Sequence, residues 1–135
     1  MSTEQNKAVV RRYLDQVWNQ ENFPVADELV SPSYVIGNVG NGPEGSRANV
    51  SAFRTAFPDL NVTIEDLVAE GDKVVARMRL SGTHHGLFRN YAPTGRRATW
   101  EEVGIWTVRD GQLQEGWFLA DMYGLRQQLG VLPTA

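Results

Sequence analysis

The chain has 135 residues, no cysteine and a net charge of −3 with no long run of one sign. That length accommodates a sizeable core in one domain spanning 1–135, and the missing cysteines exclude disulfides, thiolate metal sites and cysteine nucleophiles. Scattered basic residues argue against a nucleic-acid partner. The polar start Met1-Ser2-Thr3-Glu4-Gln5 lacks the apolar core of a signal peptide, and no segment is apolar enough to span a membrane, so a soluble cytoplasmic protein is expected.

The first helix starts at Ser2 or Thr3, with Gln5 placed three residues after Ser2 as in a capping box. Val9, Val10, Tyr13, Leu14 and Val17 recur at three- and four-residue spacing, with Trp18 beside them, and define one apolar face. Asn22 to Pro24 interrupts the pattern. Val25 to Val30 reads as a second short helix closed by Ser31-Pro32, and Tyr34-Val35-Ile36 as a short strand. Gly37 to Gly42, with three glycines and two asparagines in six residues, reads as irregular loop. Pro43 and Glu44 suit the first turn of a third helix, whose apolar positions Val50, Phe53 and Phe57 end at Pro58.

Beyond Pro58 the apolar period changes to two. Leu60, Val62 and Ile64 alternate with polar residues, and Gly71-Asp72 turns the chain into a long strand whose one face carries Val74, Ala76, Met78, Leu80, Gly82 and His84. Leu87 to Arg97 reads as a loop. Two more strands flank the turn Arg109-Asp110-Gly111-Gln112, and a short amphipathic helix ends at Gln128-Leu129-Gly130. Helices grouped early and hairpin strands late predict an α+β fold, in which N-terminal helices cover a curved antiparallel sheet around a blind apolar pocket.

On the strand Ala98 to Val108, period two places Trp100, Glu102, Gly104 and Trp106 on one face. A carboxylate desolvated between two indoles would have a raised pKa and suit proton transfer near neutrality. The opposite register, with Thr99, Glu101, Val103 and Ile105 inward, would leave Glu102 in water. His84 faces inward, as a proton shuttle or as a structural hydrogen-bonding group. His85 points the other way, so the pair cannot chelate one metal, and no metal site is expected. Asp121 stands where the last strand enters the final helix, a favoured N-cap and also a candidate acid/base. Asn38 could bind a carbonyl oxygen or simply serve a turn.

Tyr13, Trp18, Tyr34, Phe53, Phe57, Phe88, Trp100, Trp106 and Phe118 are either core or the aromatic wall of a pocket for a planar, hydrophobic small molecule. Phe88 and Tyr91 either close over that ligand as a lid or pack on the sheet edge. Val103, Ile105 and Trp117 point away from the pocket, and covering them predicts a homodimer.

A series of segments in order resembles the SnoaL-like polyketide cyclases over nearly the whole chain. They are Gly42-Pro43-Glu44-Gly45, Phe57-Pro58-Asp59-Leu60, Gly82-Thr83-His84-His85-Gly86 and Pro93-Thr94-Gly95-Arg96. Asp110-Gly111-Gln112-Leu113 with Glu115 and Trp117, then Asp121 and Gln128-Leu129-Gly130, complete the series. The resemblance implies the cone-shaped α+β fold shared with nuclear transport factor two, ketosteroid isomerase and limonene epoxide hydrolase. It also implies intramolecular aldol ring closure without metal or organic cofactor, with a carboxylate as acid/base. Two positions depart from the family pattern. The working Asp of the aldol cyclases lies three residues before the one resembling Asp121, where this chain has Phe118. A polar residue common two after the early-strand Tyr is Ile36 here. The acid/base role is therefore expected at Glu102, with His84 or Asn38 polarising an oxygen. A module that binds without turning over is the alternative, since a fold transfers more safely than a reaction.

Overall fold

The computed structural model describes residues 1–36 and 39–132. Helix α1 (Thr3–Arg12) opens on the expected capping box: Ser2 Oγ accepts from Gln5 N and Gln5 Oε1 accepts from Ser2 N, at 3.1 and 2.8 Å. It runs on as a π-helical turn, Tyr13–Trp18. Helix α2 (Phe23–Leu29) follows, then strands β1 (Val30–Ile36) and β2 (Val39–Asn41) and helix α3 (Gly42–Ala56). Strands β3 (Asn61–Glu70), β4 (Lys73–Thr83), β5 (Arg97–Arg109) and β6 (Gln112–Ala120) come next, and helix α4 (Met122–Leu129) ends the order.

The six strands form one sheet in the order β2-β1-β6-β5-β4-β3. Every neighbouring pair is antiparallel except β1 with β6, which is parallel. That exception corrects the purely antiparallel sheet expected from sequence: α3 and four further strands separate β1 from β6, so no hairpin constrains their direction.

Two element boundaries also differ from expectation. β1 begins at Val30, and Ser31-Pro32 lies inside it; the register with β6 shifts between Val30 and Val35, which accommodates a proline that has no N–H to donate. Within the expected loop, Val39–Asn41 pairs back onto Val35 and Ile36 as β2. Gly42 then starts α3 at φ +64°, where a Cβ would lie 2.8 Å from the Pro32 carbonyl oxygen, so only glycine fits the junction.

The core lies between the helices and the concave face of the sheet. Val10, Tyr13, Leu14, Val17 and Trp18 press onto it from the helical side, and Val74, Ala76, Met78, Leu80, Trp100 and Trp106 from the strands. Strand alternation therefore follows the expected register, with Trp100, Glu102, Gly104 and Trp106 inward. A bulge at Glu65 switches the inner face of β3 from Val62 and Ile64 to Leu67 and Ala69, and such bulges increase strand bend. On the outer edge of β3, Asn19 pairs with the Val62 backbone in both directions, at 3.0 and 2.7 Å, and stands in for a neighbouring strand. Among the described residues no helix is long and apolar enough to cross a membrane.

Candidate active site

A cavity of about 520 Å³ lies between the π-helical turn, α3 and the concave sheet. That volume falls in the range of about 300–1,000 Å³ typical of small-molecule sites. Leu14 and Trp18 reach it from the π-helical turn, a distortion found disproportionately at functional sites. Arg54 fastens that turn to the end of α3: its guanidinium donates to the carbonyls of Trp18, Pro58 and Leu60 at 2.8–3.0 Å and pairs with Glu21 at 2.8 Å. The helix-end carbonyl of Trp18 thus gains the partner it otherwise lacks.

Glu102 lies in the sheet wall, opposite Met78 on β4 and Ala120 on β6, and all three border the cavity. Among the described residues its carboxylate accepts a single side-chain hydrogen bond, from Trp100 Nε1 at 3.3 Å. Burial pushes the pKa up from 4.5 to about 7, and the indole N–H opposes that rise only weakly. Gly104, two residues on, leaves room for the next indole: a Cβ there would sit 2.5 Å from Trp106 Cη2 and 3.0 Å from Phe118 Cε1. Trp106 consequently lies behind the cavity wall, edge-on to Phe118 at 5.3 Å, and does not flank the carboxylate.

Of the expected aromatic wall, Trp18, Phe53 and Phe118 border the cavity. Tyr13, Tyr34, Phe57, Phe88, Trp100 and Trp106 do not; they are buried behind it as core, and the sequence expectation is corrected for those six. Tyr13 shares a short buried hydrogen bond of 2.5 Å with Ser46, and burial raises its pKa, as it does that of Tyr34. Both phenols therefore stay neutral.

His84 is fully buried and does not border the cavity. Its Nδ1 accepts from Thr94 N at 3.2 Å and lies 3.0 Å from Thr94 Oγ1, while its ring packs 5.6 Å from Phe57. Accepting from a backbone N–H leaves Nδ1 unprotonated, so the neutral ring carries its proton on Nε2. Burial lowers its pKa, and the residue anchors the return of the β4–β5 connection. The expectation of a shuttle beside Glu102 is corrected accordingly. Asp121 caps α4, accepting from Gly124 N at 2.8 Å, and its side chain also stands outside the cavity. Asn38 lies outside the described residues.

Of the two readings of Phe88 and Tyr91, the structure matches packing and not a lid. Phe88 is buried against Phe53, Phe57 and His84, and Tyr91 packs on the core edge beneath Arg126. Sequence reasoning missed the two other polar groups of the cavity, Asn49 on α3 and Arg89 in the β4–β5 connection. The sequence signal for them is weak: Asn49 is polar within an amphipathic helix, and Arg89 follows Phe88 two residues before Tyr91. Arg89 is the exposed polar member of the lining and marks the mouth, which Trp117 and Leu119 reach at its rim from the outer side of β6, so the expectation that Trp117 stands wholly away from the pocket is corrected.

Ile36 and Phe118, the two positions where the resemblance implied polar side chains, both border the cavity. Glu102 is the only carboxylate in its described lining. A larger trough of about 700 Å³ runs along α1 and β3, lined by side chains such as Lys7, Arg11 and Asp15. Its polar walls face water, so it offers none of the desolvation that shifts a proton-transfer group. Among the described residues no three carboxylate or imidazole groups converge.

Residues 8–129 match the sequence profile of the SnoaL-like polyketide cyclases. The chain is 30% identical over 129 residues to aklanonic acid methyl ester cyclase AcmA of Streptomyces galilaeus, covering 91% of this chain and 89% of that protein. It superposes on TsrD from Streptomyces laurentii with a TM-score of 0.90, at 32% identity over 98% of this chain and 99% of that one. For IdmH from Streptomyces antibioticus the TM-score is 0.81, at 28% identity over 94% and 99% of the two chains.

Proposed function

The chain belongs to the SnoaL-like polyketide cyclase family, and we propose that it closes or isomerises an apolar, polyketide-type carbonyl compound by acid/base catalysis at Glu102. The observation that carries this reading is the one carboxylate of the described lining, whose pKa of about 7 populates both protonation states near neutrality. A general acid/base works best when its pKa is close to the working pH.

The Glu102 carboxylate takes a proton from the carbon beside a substrate carbonyl. The resulting enolate carbon attacks a second carbonyl of the same molecule, forming the ring bond. Glu102, now a carboxylic acid, returns its proton to the new alkoxide, so the residue ends as it began. Asn49, in the same lining, takes the oxygen-polarising part in place of His84. The apolar walls hold a flexible substrate folded with its reacting carbons close, and such confinement lowers a barrier by as much as about 7–11 kcal/mol in the most favourable intramolecular cases. The AcmA relative is named for a cyclisation, which supports ring closure as the reaction class.

Incubation with aklanonic acid methyl ester, the corresponding free acid and related polyketones, followed by product analysis, tests the reading. Cyclised product from the wild-type chain and its loss in Glu102→Gln are expected; undiminished turnover in that variant would refute the assignment. Phe118 and Ile36 favour a second reading, a binding module that has lost the family's acid/base group. Saturable quenching of Trp18 and Trp117 fluorescence with no product from any of these ligands would select it.

We also propose a homodimer through the convex face of the sheet. There Ile105 stands opposite Trp117 and Val103 opposite Leu119. Trp117 is 49% exposed, Leu119 64% and Val68 62%, an apolar surface of the kind that partners cover. Sedimentation at micromolar concentration should show a dimer, and Val103→Lys should shift it toward monomer. A strictly monomeric wild-type chain would refute the pairing.

A further inference from the structure

The connection between β4 and β5 contains a small hairpin tip. Phe88 and Tyr91 exchange backbone hydrogen bonds of 3.1 and 2.8 Å, which leaves Arg89 and Asn90 as its two tip residues. Arg89 adopts φ +53°, a left-handed conformation that arginine rarely takes. Residues held in such sparsely populated regions tend to cluster at ligand clamps. Its guanidinium lies 5.5 Å over the Phe88 ring, and that ring is wedged against Phe53 and Phe57 at 5.9 and 5.6 Å. A cation is thus held on a fixed aromatic platform at the mouth of the cavity. Arg12, Arg54, Arg77 and Arg109 each pair with a carboxylate, whereas Arg89 has no carboxylate partner among the described residues.

Building on the reading of the cavity as a site for an apolar, ring-bearing ligand, we propose that Arg89 is its anion-binding residue and selects ligands that carry a free carboxylate. The planar guanidinium presents paired N–H donors that match a carboxylate in a two-point contact. Arg89 is the only cation in the described lining and is exposed, while Glu102 on β5 is largely buried in the sheet wall with the apolar side chains Met78, Leu80 and Phe118 in the same lining. An anionic ligand is therefore driven to one orientation, with its charge at the mouth and its carbon skeleton inward toward Glu102. Reversing it would set the ligand carboxylate against Glu102 and leave the guanidinium unpaired. Arg89 thereby acts on orientation and on the choice of acid over ester or amide.

The test uses anthraquinone-2-carboxylate and anthraquinone-2-carboxamide, two flat probes alike in shape, titrated against tryptophan fluorescence. The wild-type chain is expected to hold the carboxylate about ten-fold more tightly, the ratio a single charge-assisted contact supplies. Added salt should erode that preference. In Arg89→Gln the two affinities should converge through weakening of the carboxylate alone. Arg89→Gly, which suits the positive φ, should behave the same way and shows that the effect does not come from a distorted hairpin. Equal binding of both probes by the wild-type chain, or equal loss of both in the variants, would overturn the anion subsite while leaving the apolar cavity intact. Failure of both probes to bind the wild-type chain would refute the cavity reading and the subsite together.

Discussion

Replacing Glu102 with glutamine keeps the side-chain shape and removes its charge, so the burial of this residue makes a quantitative statement about stability against pH. In the folded chain its pKa rises from the ordinary 4.5 to about 7. Below 4.5 both folded and unfolded chains are protonated at this position, and its contribution is fully present. As pH rises from 4.5 to about 7 the unfolded chain releases the proton while the folded chain retains it, so stability falls; above 7 the loss is complete. At about 1.4 kcal/mol per unit of pKa, the whole loss is on the order of 3 kcal/mol. Glutamine does not titrate. Urea unfolding of the wild type and Glu102→Gln at about pH 5 and about pH 8 should therefore show the variant gaining roughly 2–3 kcal/mol relative to the wild type across that interval. A difference between the two proteins that stays constant with pH would mean that Glu102 is solvated, and would remove the physical basis for its role in proton transfer.

Other perturbations separate structural from chemical roles. Asp121→Ala removes the N-cap of α4 and should cost about 1 kcal/mol in chemical denaturation with ligand affinity unchanged; unchanged stability with lost turnover would return Asp121 to the chemistry. Phe88→Ala should lower stability by roughly 3–5 kcal/mol, because the ring is buried among Phe53, Phe57 and His84; a lost affinity at unchanged melting temperature would restore the lid. His84 should titrate below 6.5, with its share of stability full above that value and lost as pH falls beneath it. NMR of the imidazole resonances checks this, and titration at or above 6.5 would contradict its buried, acceptor-only Nδ1.

The inward register of β5 was legible from alternation alone, because a strand whose one side carries two tryptophans cannot turn that side to water without exposing both. The capping box at Ser2 and Gln5 and the cap at Asp121 were legible for a similar reason: backbone groups at a helix end take their partners from residues a few positions away in sequence. Alternation therefore sets the candidate carboxylate on the inner side of the sheet. Periodicity assigns a face but not a depth. Trp106 and Phe118 both turn toward the concave side, yet the empty position at Gly104 lets the indole fold behind the wall while the phenyl ring borders the cavity.

The local sequence alone thus determined helices, strand faces and caps, each governed by interactions within a few residues. Tertiary structure decided the parallel pairing of β1 with β6, the withdrawal of His84 into the core and the convergence of Asn49, Arg89 and Glu102 on one cavity. Those three come from α3, the β4–β5 connection and β5. No short-range pattern relates residues so far apart; only the closure of the sheet against the helices brings them together and removes the water that would otherwise hold Glu102 at its ordinary pKa.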